Sequence, residues 1–149
     1  ADPQYVAASE YLAQIGLTNL AEKSRVLDIA TNPNSLFLGR GKNANARPLD
    51  VDADLVPVVE FLSAKGVSQQ GLVQIIIGYP PVLSGGVPPL ERFWAYLEEI
   101  GIEDVGAVVA ERPNLLGLDV DRNLRKIVDY LQYVETPIET IIKYLERSI

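Results

Sequence analysis

The chain has 149 residues, 48% of them hydrophobic, and a formal net charge of −7 from 13 basic and 20 acidic side chains. This length suffices for one domain with its own core. The chain lacks cysteine, histidine and methionine, which excludes disulfides and thiolate chemistry and removes the commonest general base and metal ligand. We therefore predict no catalytic, cofactor-binding or metal-binding residues.

An apolar stripe at steps of 0, 3, 4, 7 and 10 residues recurs along the chain and predicts amphipathic helices. A weak first copy begins at Tyr5, and fuller copies begin at Leu55, Leu90 and Leu124. The last three starts are 35 residues (55 to 90) and 34 residues (90 to 124) apart. Since an internal period of this length is typical of helical repeat proteins, the chain is predicted to be all-helical.

Two kinds of residue divide each repeat. A glycine closes the first helix, where left-handed backbone costs little, and a proline ends the second, because proline disfavours helix in the residue before it. The leucines behind each proline are predicted to turn inward and fill the gap between helix pairs. These repeat positions are Gly16, Gly66 and Gly101, then Pro33, Pro80 and Pro113, then Leu36, Leu83 and Leu116.

The repeats predict a single domain over residues 1–149, built as a right- or left-handed α-solenoid of about three to four units. The expected units are a variant one at about 5–38, two full ones at about 52–85 and 87–118, and a partial one at 119–149. Residues 39–54 carry no apolar periodicity and are predicted to form a long exposed loop.

The order of helix, glycine, helix and proline with leucine resembles the repeat of the mitochondrial transcription termination factor (mTERF) family. The resemblance covers roughly residues 52–149 well and 5–38 loosely. The residues that carry it are Leu97, Gly101, Ile102, Val108, Val109, Pro113 and Leu116, and in the preceding unit Leu62, Gly66, Val67, Ile75, Ile76, Pro80 and Leu83.

Membership of that family implies a curved stack of helix triplets in a nucleus-encoded protein of mitochondria or chloroplasts, and many members bind DNA or RNA through a positively charged path. The present chain departs from the family in having fewer units and an acidic balance. A net negative charge repels the phosphate backbone of a nucleic acid unless the cations are gathered on one face of the protein.

The missing initiator methionine favours a processed chain whose targeting peptide has been removed, which points to an organelle, with a chloroplast favoured over a mitochondrion. The longest uncharged run, residues 66–90, holds five glycines and four prolines. It cannot form a single spanning helix, so no transmembrane segment is predicted and the protein is expected to be soluble or peripheral to a membrane complex.

Two groups of cations are candidate contacts for a partner or for phosphates. Arg40, Lys42 and Arg47 lie in the predicted loop, which has no acidic residue between 39 and 49. Arg122, Arg125 and Lys126 lie within one and a half helical turns, where the alternative is a solvated helix flank paired with neighbouring aspartates.

Other side chains predict structural roles or protein contact. The acidic group of Glu98, Glu99, Glu103 and Asp104 lacks the ligand spacing of a calcium loop and suits a helix start. Trp94 lies on an apolar stripe and is expected in the core. Tyr96, Tyr130 and Tyr133 lie beside the stripes, and half-exposed tyrosines suit a protein contact surface.

These observations favour a non-enzymatic adaptor or scaffold that binds a larger organellar protein assembly, for example as a linker subunit of a plastid photosynthetic complex. The alternative is DNA or RNA binding in organellar transcription or RNA metabolism, which the family implies and the net charge disfavours.

Overall fold

The structure, a computed structural model, describes residues 2–39 and 41–147. Over these residues the protein is all-helical, with eight α-helices and no strand, which confirms the predicted class. The helices are α1 (Pro3–Gln14), α2 (Leu20–Thr31), α3 (Val56–Ala64), α4 (Gln69–Gly78), α5 (Val87–Glu99), α6 (Val105–Glu111), α7 (Arg125–Tyr133) and α8 (Ile138–Arg147). Within the same residues, none of the helices is both long and apolar enough to cross a membrane.

In the first three helix pairs, α1–α2, α3–α4 and α5–α6, the second helix begins at a polar capping residue. Asn19, Ser68 and Asp104 precede α2, α4 and α6, and each accepts a hydrogen bond from a backbone N–H in the first turn at 2.9–3.0 Å. A cap of this kind stabilises a helix by about 1 kcal/mol. In these three pairs the polar residue between the two apolar stretches therefore fixes where the second helix starts.

The first helix of each pair ends in the same backbone motif, in which an N–H beyond a left-handed residue bonds to a carbonyl five residues back. Gly16, Gly66 and Gly101 supply that left-handed residue with φ of 113°, 89° and 102°, as the sequence predicts. In the fourth copy the residue is Glu135, with φ of 59°. The four bonds are Leu17 N to Leu12 O, Val67 N to Leu62 O, Ile102 N to Leu97 O and Thr136 N to Leu131 O, at 2.9–3.1 Å.

The helices alternate between two layers around one continuous core. In one layer α2 contacts α4 and α4 contacts α6, while in the other α3 contacts α5. The turns that lead into α3 and α7 extend this second layer by contacting α1 and α5 respectively. The core runs from Ala8 in α1 to Leu145 in α8, so each helix pair is stabilised by its neighbours and not by itself alone.

The proline turns after α4 and α6 place apolar side chains between successive helix pairs. Pro80–Leu83 and Pro113–Gly117 form 3₁₀ turns that begin at the proline. Leu83 and Leu115 are buried, whereas Leu116 is half-buried. A side chain at Gly78 would meet the Pro113 ring at 2.5 Å, so α4 packs directly against the proline turn of the next repeat.

The first proline turn differs, and the prediction that Leu36 fills a gap is wrong. Its 3₁₀ turn spans Leu36–Leu38 and begins three residues after Pro33. Ser35 occupies the position that is apolar and buried in the other two turns, and its hydroxyl bonds to Asp28 Oδ2 at 2.5 Å. Because this hydroxyl is held by a carboxylate on α2, the turn opens outward and Leu36 is 95% exposed.

The loop predicted over residues 39–54 is shorter than expected, and part of it is buried against the helices. A helical turn already begins at Val51, and Asn43 and Leu49 are buried. Asn43 Nδ2 donates to the carbonyl of Ile29 at 3.1 Å and to Ser84 Oγ at 2.8 Å. The amide therefore ties the segment both to α2 and to the turn after α4, a contact that no apolar pattern could reveal.

Wide turns of the π type lead into α3 and α7, at Val51–Leu55 and Val120–Leu124. Each follows an aspartate, Asp50 or Asp119, whose side chain accepts backbone N–H bonds of the turn at 2.8–3.0 Å. The carbonyl of each aspartate also accepts from the leucine five residues on, at 3.3 Å and 3.0 Å. Both helices therefore begin with a π turn that is capped by an aspartate.

Candidate interaction surface on α7

Helix α7 has one buried face and one exposed face. Val128 and the preceding Leu124 are fully buried, whereas Tyr130 and Tyr133 on the other side are 65% and 85% exposed. Lys126 precedes the two tyrosines by four and seven residues, so these three side chains share one face of the helix.

Arg122, Lys126, Tyr130 and Tyr133 are all exposed and are here called the α7 outer surface. Arg122 extends this exposed face toward the start of the helix, because it lies four residues before Lys126. Tyrosine and arginine are enriched at the energetic centres of protein interfaces, because they bring a large rigid contact area together with hydrogen-bonding atoms. The composition of this surface therefore suits contact with another macromolecule.

Arg125, adjacent in sequence, has a different role from Arg122 and Lys126. Its guanidinium lies 4.5 Å from the centroid of the Tyr96 ring, and it is 3.7 Å from Glu99 Oε2 and 3.9 Å from Asp121 Oδ1. A cation over an aromatic face is attracted by the ring's electrons. Arg125 is therefore engaged within the fold, where it joins α7 to α5.

Tyr96 lies beneath this guanidinium and is buried, so of the three tyrosines beside the apolar stripes only Tyr130 and Tyr133 are exposed for contact with a partner. Its hydroxyl has no hydrogen-bond partner among the described residues. Burial raises the pKa of this phenol, and the nearby Asp129 carboxylate raises it further. The sequence pattern placed Tyr96 beside the stripe, but did not show that Arg125 would cover its ring.

The loop cations are only partly placed. Arg40 lies outside the described residues, and Lys42 is exposed. Arg47 Nη2 lies 3.0 Å from Asp54 Oδ1 at the start of α3, and this hydrogen bond raises the pKa of the arginine and lowers that of the carboxyl. Of the predicted loop cations, only Arg47 is thus fixed near the start of α3, whereas Arg122, Arg125 and Lys126 lie at the start of α7.

Two members of the acidic group around the end of α5, Glu99 and Asp104, have structural partners. Asp104 Oδ1 accepts the backbone N–H of Ala107 at 3.0 Å and begins α6, while Glu99 faces Arg125. Among the described residues no three potential metal ligands converge on one point. The arrangement therefore serves helix starts and the α5–α7 contact.

A pocket of about 510 Å³ lies between the turn after α4, the start of α5 and the turn before α7, and is here called the inter-repeat pocket. Val82, Leu90 and Phe93 contribute buried apolar surface, and Arg92 and Asp121 are exposed lining residues. Sequence reasoning missed this pocket because its lining comes from distant segments. It is completed by residues that include Asn43, Asn45, Tyr79, Leu116, Leu118 and Asp119.

The recurring helix ends and proline turns define a protein assembled from similar helical segments. The sequence profile of the mTERF family matches residues 48–149, more than half of the chain. The chain belongs to the mTERF family, as the sequence resemblance predicts.

A similar protein is "Transcription termination factor MTERF9, chloroplastic" of Arabidopsis thaliana, which is 25% identical over 121 residues. The matched part covers 66% of the present chain and 24% of that protein. The chain thus spans about a quarter of the length of this relative. No solved structure matches the chain.

Proposed function

We propose that this protein is a non-enzymatic adaptor, an α-solenoid of three to four mTERF-like units that binds a larger organellar protein assembly through the α7 outer surface. The observation that carries the proposal is the exposure of Tyr130 and Tyr133 on one face of a helix whose other face is buried. Tyrosines each bring about 150–250 Å² of contact area. Two of them beside Arg122 and Lys126 form the centre of a protein contact.

The charge distribution supports a protein partner over a phosphate backbone. The net charge is −7, and two of the six predicted cations, Arg47 and Arg125, are engaged with carboxylates of the same chain. Binding a duplex releases counterions in proportion to the phosphates neutralised, and binders commonly contact six to ten phosphates. The two cations on the α7 outer surface fall short of such a track.

The chloroplast is the proposed location, since the Arabidopsis relative is named as chloroplastic. A peripheral or linker position on a photosynthetic complex is the specific form of the proposal for that compartment. Arg122 and Lys126 add charge complementarity toward an acidic partner surface.

Native electrophoresis of a plastid extract containing the tagged protein tests the adaptor function. The wild-type protein should co-migrate with a large assembly, and Tyr130→Ser with Tyr133→Ser should release it. Leu20→Ser is the matched control, because Leu20 is 73% exposed on a different helix. Thermal unfolding should be unchanged in both variants, since all three side chains lie on the surface.

Two outcomes would contradict the adaptor function. One is an assembly that keeps the tyrosine variant as firmly as the wild type. The other is an assembly that loses the wild-type protein when excess nucleic acid is added, because a protein contact through tyrosines does not depend on a polynucleotide.

Nucleic-acid binding is the second candidate function. Family membership and the name of the relative, a transcription termination factor, favour it, and Arg122 and Lys126 are the cations that the α7 outer surface offers. Binding of duplex DNA or RNA should then weaken steeply with salt, and Arg122→Glu with Lys126→Glu should flatten the slope of log K against log salt by about two. If the slope of log K against log salt is the same in the wild type and in this double variant, the α7 outer surface does not bind nucleic acid.

A further inference from the structure

The first proline turn presents two large apolar side chains to solvent. Leu36 is 95% and Phe37 is 60% exposed, and the pair is here called the apolar tip. Among the described residues, Leu36 is the most exposed of the large apolar side chains, whereas Leu83 in the equivalent turn after α4 is buried. Withdrawing such side chains from water is favourable in proportion to the apolar area covered. The apolar tip is therefore suited to an apolar medium outside the molecule.

The backbone beneath the apolar tip is already hydrogen-bonded within the chain. Asn34 N donates to Asn32 Oδ1 at 2.9 Å, and Ser35 N donates to the Asn32 carbonyl at 3.1 Å. Phe37 N donates to Ser35 Oγ at 3.3 Å, and Pro33 has no N–H at all. Unpaired N–H groups oppose entry into an apolar medium. These bonds therefore lower the cost of withdrawing the tip from water.

The sequence around the apolar tip is free of acidic residues, although the whole chain has a net charge of −7. Residues 29–49 contain three cations and no aspartate or glutamate. Of the cations that the structure describes there, Arg47 is engaged with Asp54, whereas Lys42 is exposed. Lys42 is thus a positive charge that remains accessible close to the tip in sequence.

A short turn keeps Lys42 near the apolar tip in space as well. Gly41 N donates to the Leu38 carbonyl at 3.1 Å, which is the hydrogen bond of a β-turn, whose first and fourth Cα atoms are less than about 7 Å apart. Lys42 follows directly, so its Cα lies within about 11 Å of the Leu38 Cα. Amphipathic segments enter a membrane to a depth of about 5–10 Å. A tip at that depth leaves the lysine at the level of the lipid headgroups.

A bilayer fits the apolar tip better than a protein groove does. Two side chains cover far less than the roughly 800 Å² per partner of a standard protein interface. A membrane surface requires no matching shape, and burial of apolar side chains adds to the attraction between cations and anionic headgroups. The exposed tip and the acid-free segment beside it supply these two contributions together.

We propose that the apolar tip inserts into the surface of a bilayer that contains anionic lipids, with Lys42 beside a headgroup phosphate. The contact is weak and reversible, because a few apolar groups and one described cation give only marginal membrane affinity. It does not involve the α7 outer surface, so the membrane contact and the adaptor function fail separately.

Co-sedimentation of the purified protein with lipid vesicles at low ionic strength tests the proposal. The wild type should bind vesicles of phosphatidylcholine and phosphatidylglycerol in equal parts, and should bind pure phosphatidylcholine vesicles less. Leu36→Ser with Phe37→Ser, and separately Lys42→Glu, should each lower the partition coefficient by about tenfold. Lys143→Glu makes the same change of charge at an exposed residue of α8 and should alter the partition coefficient far less.

A tryptophan placed in the apolar tip reports insertion directly. Trp94, the one tryptophan of the chain, is buried, so its emission should be the same with and without vesicles. The emission of Phe37→Trp should shift to shorter wavelength when the anionic vesicles are added. Leu20→Trp is the matched control, because Leu20 is 73% exposed at the other end of α2, about 16 Å from Thr31 along the helix. Its emission should not shift.

Three results would overturn the proposal: a wild type that does not bind anionic vesicles, binding that the tip and Lys42 variants leave unchanged, or a Phe37→Trp emission that stays the same on binding. Release of the tip variant from a protein assembly, with no vesicle binding by the wild type, would assign the tip to a protein partner instead. Tyr130→Ser with Tyr133→Ser should bind vesicles normally, and loss of binding in that variant would place the membrane contact on α7. Thermal unfolding should be unchanged in the tip variant, since both side chains are exposed.

Discussion

Glu135 is the one non-glycine residue with positive φ in the described part of the chain, and replacing it with glycine should stabilise the protein. Its φ of 59° places it where the equivalent helix ends have Gly16, Gly66 and Gly101. The left-handed conformation costs a residue with a side chain about 1–2 kcal/mol, which glycine avoids. Glycine itself destabilises the folded state by about 0.5–1 kcal/mol, because its unfolded chain is more flexible. The net gain for Glu135→Gly is about 0.5–1 kcal/mol.

Thermal unfolding followed by circular dichroism measures this gain as a rise in Tm of about 1–4 °C for a chain of this length. Glu135→Ala removes the same charge but keeps the strain, so its Tm should stay close to that of the wild type. Glu139→Gly, inside the first turn of α8, should lower stability by about 1 kcal/mol. A Glu135→Gly protein that unfolds at or below the wild-type temperature would refute the assignment of backbone strain to this position.

Three further changes test the fold by the same unfolding measurements. Asn43→Ala removes three hydrogen bonds worth about 1 kcal/mol each, so it should cost about 3 kcal/mol, while the exposed Asn45→Ala should cost less than about 0.5 kcal/mol. Leu83→Ala should cost about 2–5 kcal/mol and the exposed Leu36→Ala almost nothing. Asp54→Asn should destabilise the protein at pH 7, and its deficit relative to the wild type should shrink below about pH 4.

The sign of the last effect follows from the direction of the pKa shift. A hydrogen bond from Arg47 lowers the pKa of Asp54 in the folded protein, so the charged form stabilises the fold above the unfolded pKa of about 3.9. Protonation removes that contribution as the pH falls through the folded pKa. Equal wild-type and Asp54→Asn stabilities at pH 7 would contradict a contribution from the pair. Similar losses in Asn43→Ala and Asn45→Ala, or in Leu83→Ala and Leu36→Ala, would contradict the burial differences on which those pairs rest.

The sequence could predict the helices and their ends because both depend on local chemistry. The apolar stripes anticipate the buried residues Leu62, Leu97 and Leu124. The glycines Gly66 and Gly101 adopt positive φ at helix ends, where the absence of a Cβ removes the steric cost. The apolar periodicity and the positions of the glycines are thus sufficient to predict an all-helical protein.

The features that the sequence could not predict depend on contacts between distant segments. Leu36 is exposed because the neighbouring Ser35 donates a hydrogen bond to the Asp28 carboxylate on α2. Asn43 is buried because its side-chain amide donates to Ile29 and to Ser84, which belong to separate helix pairs. The ring of Tyr96 is covered by Arg125 of another helix. In each case a polar contact overrides the apolar pattern, and a single sequence does not show which polar groups will meet.

The wide turns at the starts of α3 and α7 also bear on how copies of such a unit can differ in length. In each turn the aspartate carbonyl accepts from the residue four positions on, as in an α-helix, and also from the leucine five positions on, as in a π turn, so the turn is wider than an α-helical one by one residue. Losing a residue there would tighten the turn into an ordinary α-helical one and leave the buried leucine that follows in register with the core. We therefore expect the fold to tolerate single-residue deletions between Asp50 and Leu55, or between Asp119 and Leu124.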